Sequence, residues 1–138
     1  MITDSLDVLK WIRRAQMDFD GAVRDAKLFR PPVEIVCYLC QQAAEKILKA
    51  YIIAQTRSRI KTHDLEYLLG KCLSYSADFD NLRNCCLRLN PYVTFARYPS
   101  DIEPTEHHMR QAVKDAGEVV DFAKSKLKEL GYDYDPEQ

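Results

Sequence analysis

The chain has 138 residues, of which 46% are hydrophobic and 30% charged, with a formal net charge of −1. Such a balance gives no overall attraction to nucleic acid or to an anionic membrane, so any polyanion contact must come from a local basic patch. No stretch approaches the roughly 18 apolar residues that span a bilayer. Five cysteines without a recognisable secretory signal favour a reducing compartment. We therefore expect one cytoplasmic domain with no membrane association.

The first predicted helix starts near Thr3 or Asp4, either of which suits the N-cap position. Its apolar stripe, with members spaced alternately four and three residues apart, consists of Val8, Ile12, Ala15, Phe19, Ala22 and Ala26. Trp11 lies beside this stripe and is expected to be a flanking core aromatic rather than a ligand contact. Pro31 and Pro32 end the connection, because proline cannot continue a helix.

The second predicted helix covers residues 33–55 and has two different faces. Its packed face repeats the same spacing and consists of Val36, Cys40, Ala43, Ile47, Ala50 and Ala54. A second face carries Gln42, Glu45, Lys46 and Lys49 at positions i, i+3, i+4 and i+7. This polar face either binds a ligand or partner, or is a solvated surface with a Glu45–Lys49 pair worth about 0.3–0.5 kcal/mol.

Two further helices follow with weaker signals. The third is predicted to start at Thr62 as N-cap, with Asp64 beside its positive end. The fourth is predicted from about Asp78, with Pro91 kinking or restarting it and Pro99 ending it. The apolar stripe of the fourth helix consists of Leu82, Cys85, Cys86 and Leu89.

The last helix has the most regular pattern, since its apolar residues alternate four and three apart from Met109 to Leu130. Pro104 suits its first turn, and Gly131 is well placed as its C-terminal cap. No segment alternates in the manner of a strand. The sequence therefore predicts an all-α fold, an antiparallel up-and-down bundle of four long helices plus one short helix. We expect one domain over residues 1–131 and a C-terminal tail over residues 132–138.

Two groups of residues resemble metal or redox sites. Cys37 and Cys40 have CxxC spacing, but they lie inside a helix rather than at its N-terminus, so we interpret them as small buried side chains. A second group at the entry to the last helix consists of Glu103, Glu106, His107 and His108. Adjacent histidines on a helix point about 100° apart, which favours a solvated helix start. We therefore predict no metal and no cofactor.

The loop before the third helix carries three cations, Arg57, Arg59 and Lys61. They form either a solvated loop or a phosphate contact, because guanidinium groups bind phosphate oxygens bidentately. Lys46, Lys49 and Arg97 would add to such a patch only if the fold brings them together. Histidine is the side-chain type that titrates nearest neutrality, so His63 could act as a base, although a structural histidine at a helix start is the plainer interpretation. The four glycines form no phosphate-binding loop.

Three blocks of the chain, at residues 41–50, 62–65 and 96–99, occur in an order and spacing that resembles a HEPN domain, the higher eukaryotes and prokaryotes nucleotide-binding domain. The first helix adds a matching Ala-x-x-Asp-Phe pattern at residues 15–19. The resemblance covers roughly residues 5 to 130 and implies a bundle of up to five helices, usually a homodimer. Many prokaryotic members are encoded beside a minimal nucleotidyltransferase, as a two-component or toxin–antitoxin pair.

Some HEPN branches are metal-independent ribonucleases that use an Arg, four to six arbitrary residues and a His near the start of a late helix. In this sequence the first histidine after Arg97 is His107, ten positions on and beyond two prolines. Arg57 and His63 have the required separation, but they precede the third helix, so the role is not carried over to them. The departure predicts a protein without ribonuclease activity.

The leading hypothesis is a non-catalytic, or at most weakly catalytic, dimeric HEPN domain that binds a nucleotide or a nucleotidyltransferase partner. The residues expected to make these contacts are Gln42, Glu45, Lys46, Lys49, His63, Arg97 and Tyr98. One alternative is a ribonuclease toxin that acts on RNA with Arg97 and His107 or His108 across a dimer interface. Another is a pure oligomeric interaction module.

Overall fold

A computed structural model describes residues 6–93 and 103–134 of the chain. Within these residues the backbone forms five α-helices and no strand. The helices are α1 (Val8–Ala26), α2 (Val33–Thr56), α3 (Leu65–Leu73), α4 (Arg83–Leu89) and α5 (Glu106–Glu129). Two 3₁₀ segments, Ala77–Leu82 and Asn90–Val93, precede and follow α4. The predicted all-α helical bundle is confirmed.

Helix α2 occupies the centre of the bundle. It packs along α1 and α5 and also contacts α3, α4 and the second 3₁₀ segment. The packed face predicted for α2 is fully buried from Val36 to Ala50. Because other elements contact α2 on several sides, charged residues of this helix are buried as well. None of the described helices is long and apolar enough to cross a bilayer.

The fourth predicted helix differs from the structure in length. Its first residues form the 3₁₀ segment Ala77–Leu82, and the α-helix itself has only seven residues. Pro91 has no N–H to continue the helical hydrogen bonds, and the chain enters a second 3₁₀ segment there. The described bundle therefore has three long and two short helices. The stop predicted at Pro99 lies outside the described residues.

The N-terminal caps of α1 and α3 are aspartates, not the residues predicted from the sequence. Helix α1 begins at Val8, where the Asp7 side chain accepts a hydrogen bond from the backbone of Lys10 at 3.3 Å; Thr3 and Asp4 lie outside the described residues. In α3 the Asp64 Oδ1 atom caps Glu66 N at 3.0 Å. The predicted cap, Thr62, instead accepts from Asp64 N at 3.2 Å.

Helix α5 starts two residues after Pro104, which was predicted to lie in its first turn, and it ends where predicted. Thr105 is its N-cap and Glu106 its first residue. At the other end Gly131 adopts φ +95°, a backbone conformation that favours glycine. Its N–H reaches Lys128 O at 2.9 Å, and Tyr132 N reaches Leu127 O at 3.0 Å. These two bonds satisfy the last carbonyls of α5 and turn the chain back onto the bundle.

Gly70 lies inside α3, where a Cβ atom added to the backbone would have no neighbour within 4 Å. Because glycine loses more backbone freedom than alanine on folding, Gly70→Ala should raise the free energy of unfolding by about 0.5–1 kcal/mol. Urea unfolding followed by circular dichroism measures the change. A lower midpoint than that of the wild type would show that this face of α3 is not open to solvent.

Candidate functional site

The polar face predicted for α2 contains a buried ion pair. Lys49 Nζ lies 2.9 Å from Glu45 Oε2, and only 4% of each side chain is exposed. The predicted i, i+4 pair is therefore confirmed. The interpretation of the face as solvated is wrong for these two residues, because α1 and the loop after α2 cover them.

Glu45 is the centre of a hydrogen-bonded group that we call the α2 network, formed by Gln41, Gln42, Glu45, Lys49 and His63. Gln41 Nε2 donates to Glu45 Oε1 at 3.3 Å and to the His63 carbonyl at 3.1 Å. Gln41 Oε1 accepts from Gln42 Nε2 at 2.8 Å. His63 Nδ1 lies 3.1 Å from both carboxylate oxygens of Glu45. The network fixes the loop before α3 onto the middle of α2.

Sequence reasoning missed Gln41, which is fully buried. It lies on neither predicted face of α2, and its importance follows only from burial. A buried amide must find partners for its N–H and carbonyl groups. Here those partners are Glu45, Gln42 and the backbone of His63. The adjacent pair Gln41-Gln42 within an apolar run was the available signal.

Lys46 lies outside the α2 network. Its Nζ atom donates to Asp18 Oδ2 of α1 at 2.6 Å, and about a fifth to a quarter of each side chain is exposed. Both lysines of the predicted polar face are thus neutralised by a carboxylate of the same chain. A phosphate could bind either ammonium group only by displacing the carboxylate that pairs with it.

Trp11 is partly buried against the core, as predicted. Two cations lie over its ring, with Lys49 Nζ at 6.0 Å and Arg59 Cζ at 5.4 Å from the ring centroid. The fold therefore brings one arginine of the basic loop close to α2. Arg97 and Tyr98, which were predicted to share this site, lie outside the described residues.

The N-terminal half of α2 and the turn before it form an exposed apolar surface, which we call the tip surface. It consists of Leu28, Phe29, Ile35 and Tyr38. Their exposed fractions are 52%, 94%, 56% and 42%, respectively. Ile35, Tyr38 and Gln42 are spaced i, i+3 and i+7, so Gln42 continues the same side of the helix. The tip surface thus borders the polar end of the α2 network.

A second buried carboxylate, Asp115 of α5, joins that helix to α4. Only 1% of Asp115 is exposed. Arg88 Nε and Nη2 each donate to it at 2.8 Å, and Gln111 Nε2 donates at 3.0 Å. Hydrogen bonding to Asp115 raises the pKa of the Arg88 guanidinium above its already high ordinary value. Sequence reasoning missed this contact. The sign of it in the sequence was an aspartate next to the apolar stripe of the last helix.

All five cysteines are buried. Burial raises the pKa of the Cys37 thiol to about 11, partly offset by a hydrogen bond with Tyr92, and the pKa values of Cys85 and Cys86 to about 12. Burial also raises the pKa of Cys40. The CxxC pair therefore consists of buried core side chains, as predicted.

Native protein at pH 8 should not react with a disulfide reagent such as dithionitrobenzoate, because the reactive thiolate is hardly populated when the thiol pKa is raised. In denaturant all five thiols in the sequence should react. Absorbance of the released thionitrobenzoate counts the reactive groups. Fast reaction of one or two thiols in the native state would contradict the burial of the CxxC pair.

The histidines at the start of α5 belong to a helix cap. His108 Nδ1 accepts from Thr105 N at 2.9 Å, and Thr105 Oγ1 accepts from His108 N at 3.3 Å. This reciprocal arrangement satisfies two backbone donors. Across residues 6–93 and 103–134, no three His, Cys, Asp or Glu side chains are grouped so as to hold a metal ion.

The architecture is that of a small helical bundle whose central helix carries a buried polar network. A family profile described as the HEPN domain matches residues 8–127. The chain therefore belongs to the HEPN domain family, as its sequence blocks indicated.

Solved structures that share the fold include ST0689 and TT1696. ST0689, an archaeal HEPN homologue, is 24% identical in sequence, with a TM-score of 0.70 over 87% of this chain and 97% of that one. TT1696 from Thermus thermophilus is 21% identical, with a TM-score of 0.72 over 88% of this chain and 99% of that one. Among curated proteins no match is found. The structural likenesses show the common bundle.

Proposed function

We propose that this HEPN domain is a non-catalytic module that forms a homodimer and docks a nucleotidyltransferase partner. One observation carries the proposal. The cations of the polar face are neutralised within the fold, whereas apolar side chains at the N-terminal end of the same helix are exposed. Exposed apolar groups fit a protein surface better than they fit a nucleotide phosphate.

The buried pair makes Lys49 a poor phosphate ligand. If a phosphate drew Lys49 away, Glu45 would remain as an uncompensated charge, and breaking such a buried pair costs about 3–5 kcal/mol. A nucleotide would have to supply that free energy before any gain in affinity. The α2 network is therefore proposed to support a binding surface by holding the adjacent loop in place.

The tip surface has the composition expected of a protein contact. Phe29 and Tyr38 are aromatic anchors of the kind that dominate interface energetics, and Gln42 provides an adjacent polar group for the rim. We propose that the partner covers these side chains. Arg97 and Tyr98 remain predicted partner contacts, because they belong to the block at residues 96–99 that resembles a HEPN domain.

Two of the three histidines in the sequence support a function without catalysis. His63 Nδ1 faces the carboxylate of Glu45, and His108 Nδ1 accepts the backbone N–H of Thr105. Each of these two imidazoles thus makes a structural contact. We expect RNA to stay intact on incubation with the purified protein. Cleavage that disappears in an Arg97→Ala variant would instead establish the ribonuclease alternative.

The docking proposal is tested by co-expressing the chain with the product of the neighbouring reading frame, which the proposal expects to be a minimal nucleotidyltransferase. We expect the two proteins to copurify, with two copies of this chain by light scattering. A Phe29→Asp/Ile35→Asp variant should fold normally and lose the partner. Met17→Asp is the matched control, because Met17 is also an exposed apolar residue, at 63%, but lies on α1. Copurification of the partner with the double variant would overturn the assignment of the tip surface as the docking site. Loss of the partner from the Met17→Asp variant would overturn it as well.

A further inference from the structure

A cleft of about 370 Å³ lies between α1, α5 and the segment that follows α5. Its volume is at the lower end of the range of about 300–1,000 Å³ that is typical of small-molecule sites. None of the residues of the α2 network or of the tip surface lines it. The cleft is therefore separate from the proposed docking surface, and a ligand in it goes beyond the docking function.

The lining of the cleft combines apolar surface with charges of both signs. Ile12 of α1, which is only 1% exposed, and the rings of Tyr132 and Tyr134 supply the apolar part. Asp133 supplies a carboxylate from the segment after α5. One face of α5 supplies the remaining polar side chains at positions i, i+3, i+4 and i+7. They are Asp121, Lys124, Ser125 and Lys128.

The charged groups of the cleft do not neutralise one another. Across the residues that the structure describes, neither Lys124 nor Lys128 lies at ion-pair distance from a carboxylate, in contrast to the lysines of α2. Lys124 Nζ donates to the neutral amide oxygen of Gln16 at 2.8 Å and lies 5.9 Å from the Tyr134 ring centroid. An ammonium group has three N–H donors, so Lys124 retains donors for a ligand. Asp121 and Lys128 are about 10 Å apart along the helix axis, so α5 presents a negative and a positive end to the cleft.

A ligand that matches this lining is small and carries both charges. A simple anion would meet the carboxylates of Asp121 and Asp133, and a simple cation would meet the two lysines. A zwitterion satisfies both ends, because each of its charges can lie beside a protein group of the opposite sign. The apolar part of the lining requires that the same molecule also carry an apolar group.

We propose that the cleft binds a free α-amino acid with an apolar side chain. The carboxylate of the amino acid accepts hydrogen bonds from Lys128 and Ser125, the first of them charge-assisted. Its ammonium group donates to Asp121 and lies against the tyrosine rings, whose π faces attract cations. Its side chain packs on Ile12 and the same rings, which removes apolar surface from water.

The proposal is tested by isothermal titration of the full chain with L-leucine, N-acetyl-L-leucine, L-leucinamide and glycine in separate runs. The last three lack the ammonium group, the carboxylate and the apolar side chain, respectively. We expect saturable binding of L-leucine at least about tenfold tighter than that of the other three, a difference of about 1.4 kcal/mol. Binding of any of the three as tight as that of L-leucine would overturn the assignment of a zwitterion site with an apolar part. So would the absence of saturable L-leucine binding at millimolar concentration.

Two variants assign the two ends of the ligand. Lys128→Ala should weaken L-leucine binding by at least about tenfold and abolish the preference over L-leucinamide, because the contact to the carboxylate is lost. Asp121→Asn should weaken it similarly and abolish the preference over N-acetyl-L-leucine. Both side chains are exposed, so the fold should persist, which a melting curve checks.

The matched control is Lys114→Ala, since Lys114 is an exposed lysine of α5 that does not line the cleft. This substitution should leave the affinity for L-leucine unchanged. An affinity that neither Lys128→Ala nor Asp121→Asn alters would place the amino acid elsewhere and refute the proposal. An equal loss of affinity in Lys114→Ala would refute it as well.

Discussion

Glu45→Ala is expected to lower the free energy of unfolding by about 3–5 kcal/mol, the cost of leaving a buried partner charge uncompensated. The side chain accepts from Lys49 and Gln41 and lies within hydrogen-bonding distance of His63. Its removal leaves the Lys49 ammonium, which is only 4% exposed, without a counter-charge. The loop that His63 holds against α2 should also loosen.

Urea unfolding of three variants separates this explanation from a general effect of substitution. Lys46→Ala removes a partly exposed pair with Asp18 and should cost no more than about 1 kcal/mol. Glu45→Leu/Lys49→Met replaces the whole buried pair with apolar side chains and should recover more than half of the loss, since such replacements are often neutral. If Glu45→Ala costs no more than Lys46→Ala, the pair is not buried in solution.

Phe79→Ala is expected to cost about 3–5 kcal/mol, in the range for a fully buried phenylalanine. Phe79 lies in the first 3₁₀ segment and is not exposed. Its ring centroid is 4.6 Å from that of Tyr51 in α2 and 5.1 Å from that of Phe122 in α5, the latter edge to face. The substitution should open a cavity where two long helices and this segment meet.

The control for Phe79→Ala is its neighbour Asp78, which is 69% exposed and pairs with Lys126 at 2.9 Å. Asp78→Ala should change the free energy of unfolding by at most about 1 kcal/mol. Phe79→Leu should fall between the two, because leucine fills part of the cavity. Equal midpoints for Phe79→Ala and Asp78→Ala would contradict the packing of the segment against α2 and α5.

The three long helices were predictable because their apolar residues repeat with helical spacing over many turns. The C-terminal cap at Gly131 was also predictable, since few residues other than glycine tolerate its positive φ. Phe79 could not be placed, because it precedes the predicted stripe of the fourth helix and belongs to a 3₁₀ segment. Short segments of this kind have no periodicity long enough to identify. The N-caps Asp7 and Asp64 were not predicted, because in each case a nearby residue suits the N-cap position equally well by its type.

The site was harder to predict than the fold. Periodicity correctly placed Gln42, Glu45, Lys46 and Lys49 on one side of α2, but it cannot tell whether another element covers that side. The loop before α3 and helix α1 cover it, which converts an expected surface into a buried network. Gln41 was missed for the same reason.

The central claim is that the exposed apolar end of α2, rather than its lysines, binds the partner. Calorimetric titration of the proposed nucleotidyltransferase partner into two variants tests it most directly. Ile35→Asp should weaken binding by at least about 30-fold, equivalent to about 2 kcal/mol and typical of a residue central to an interface. Lys46→Ala should change the affinity by less than about threefold. A large loss with Lys46→Ala and none with Ile35→Asp would contradict the claim.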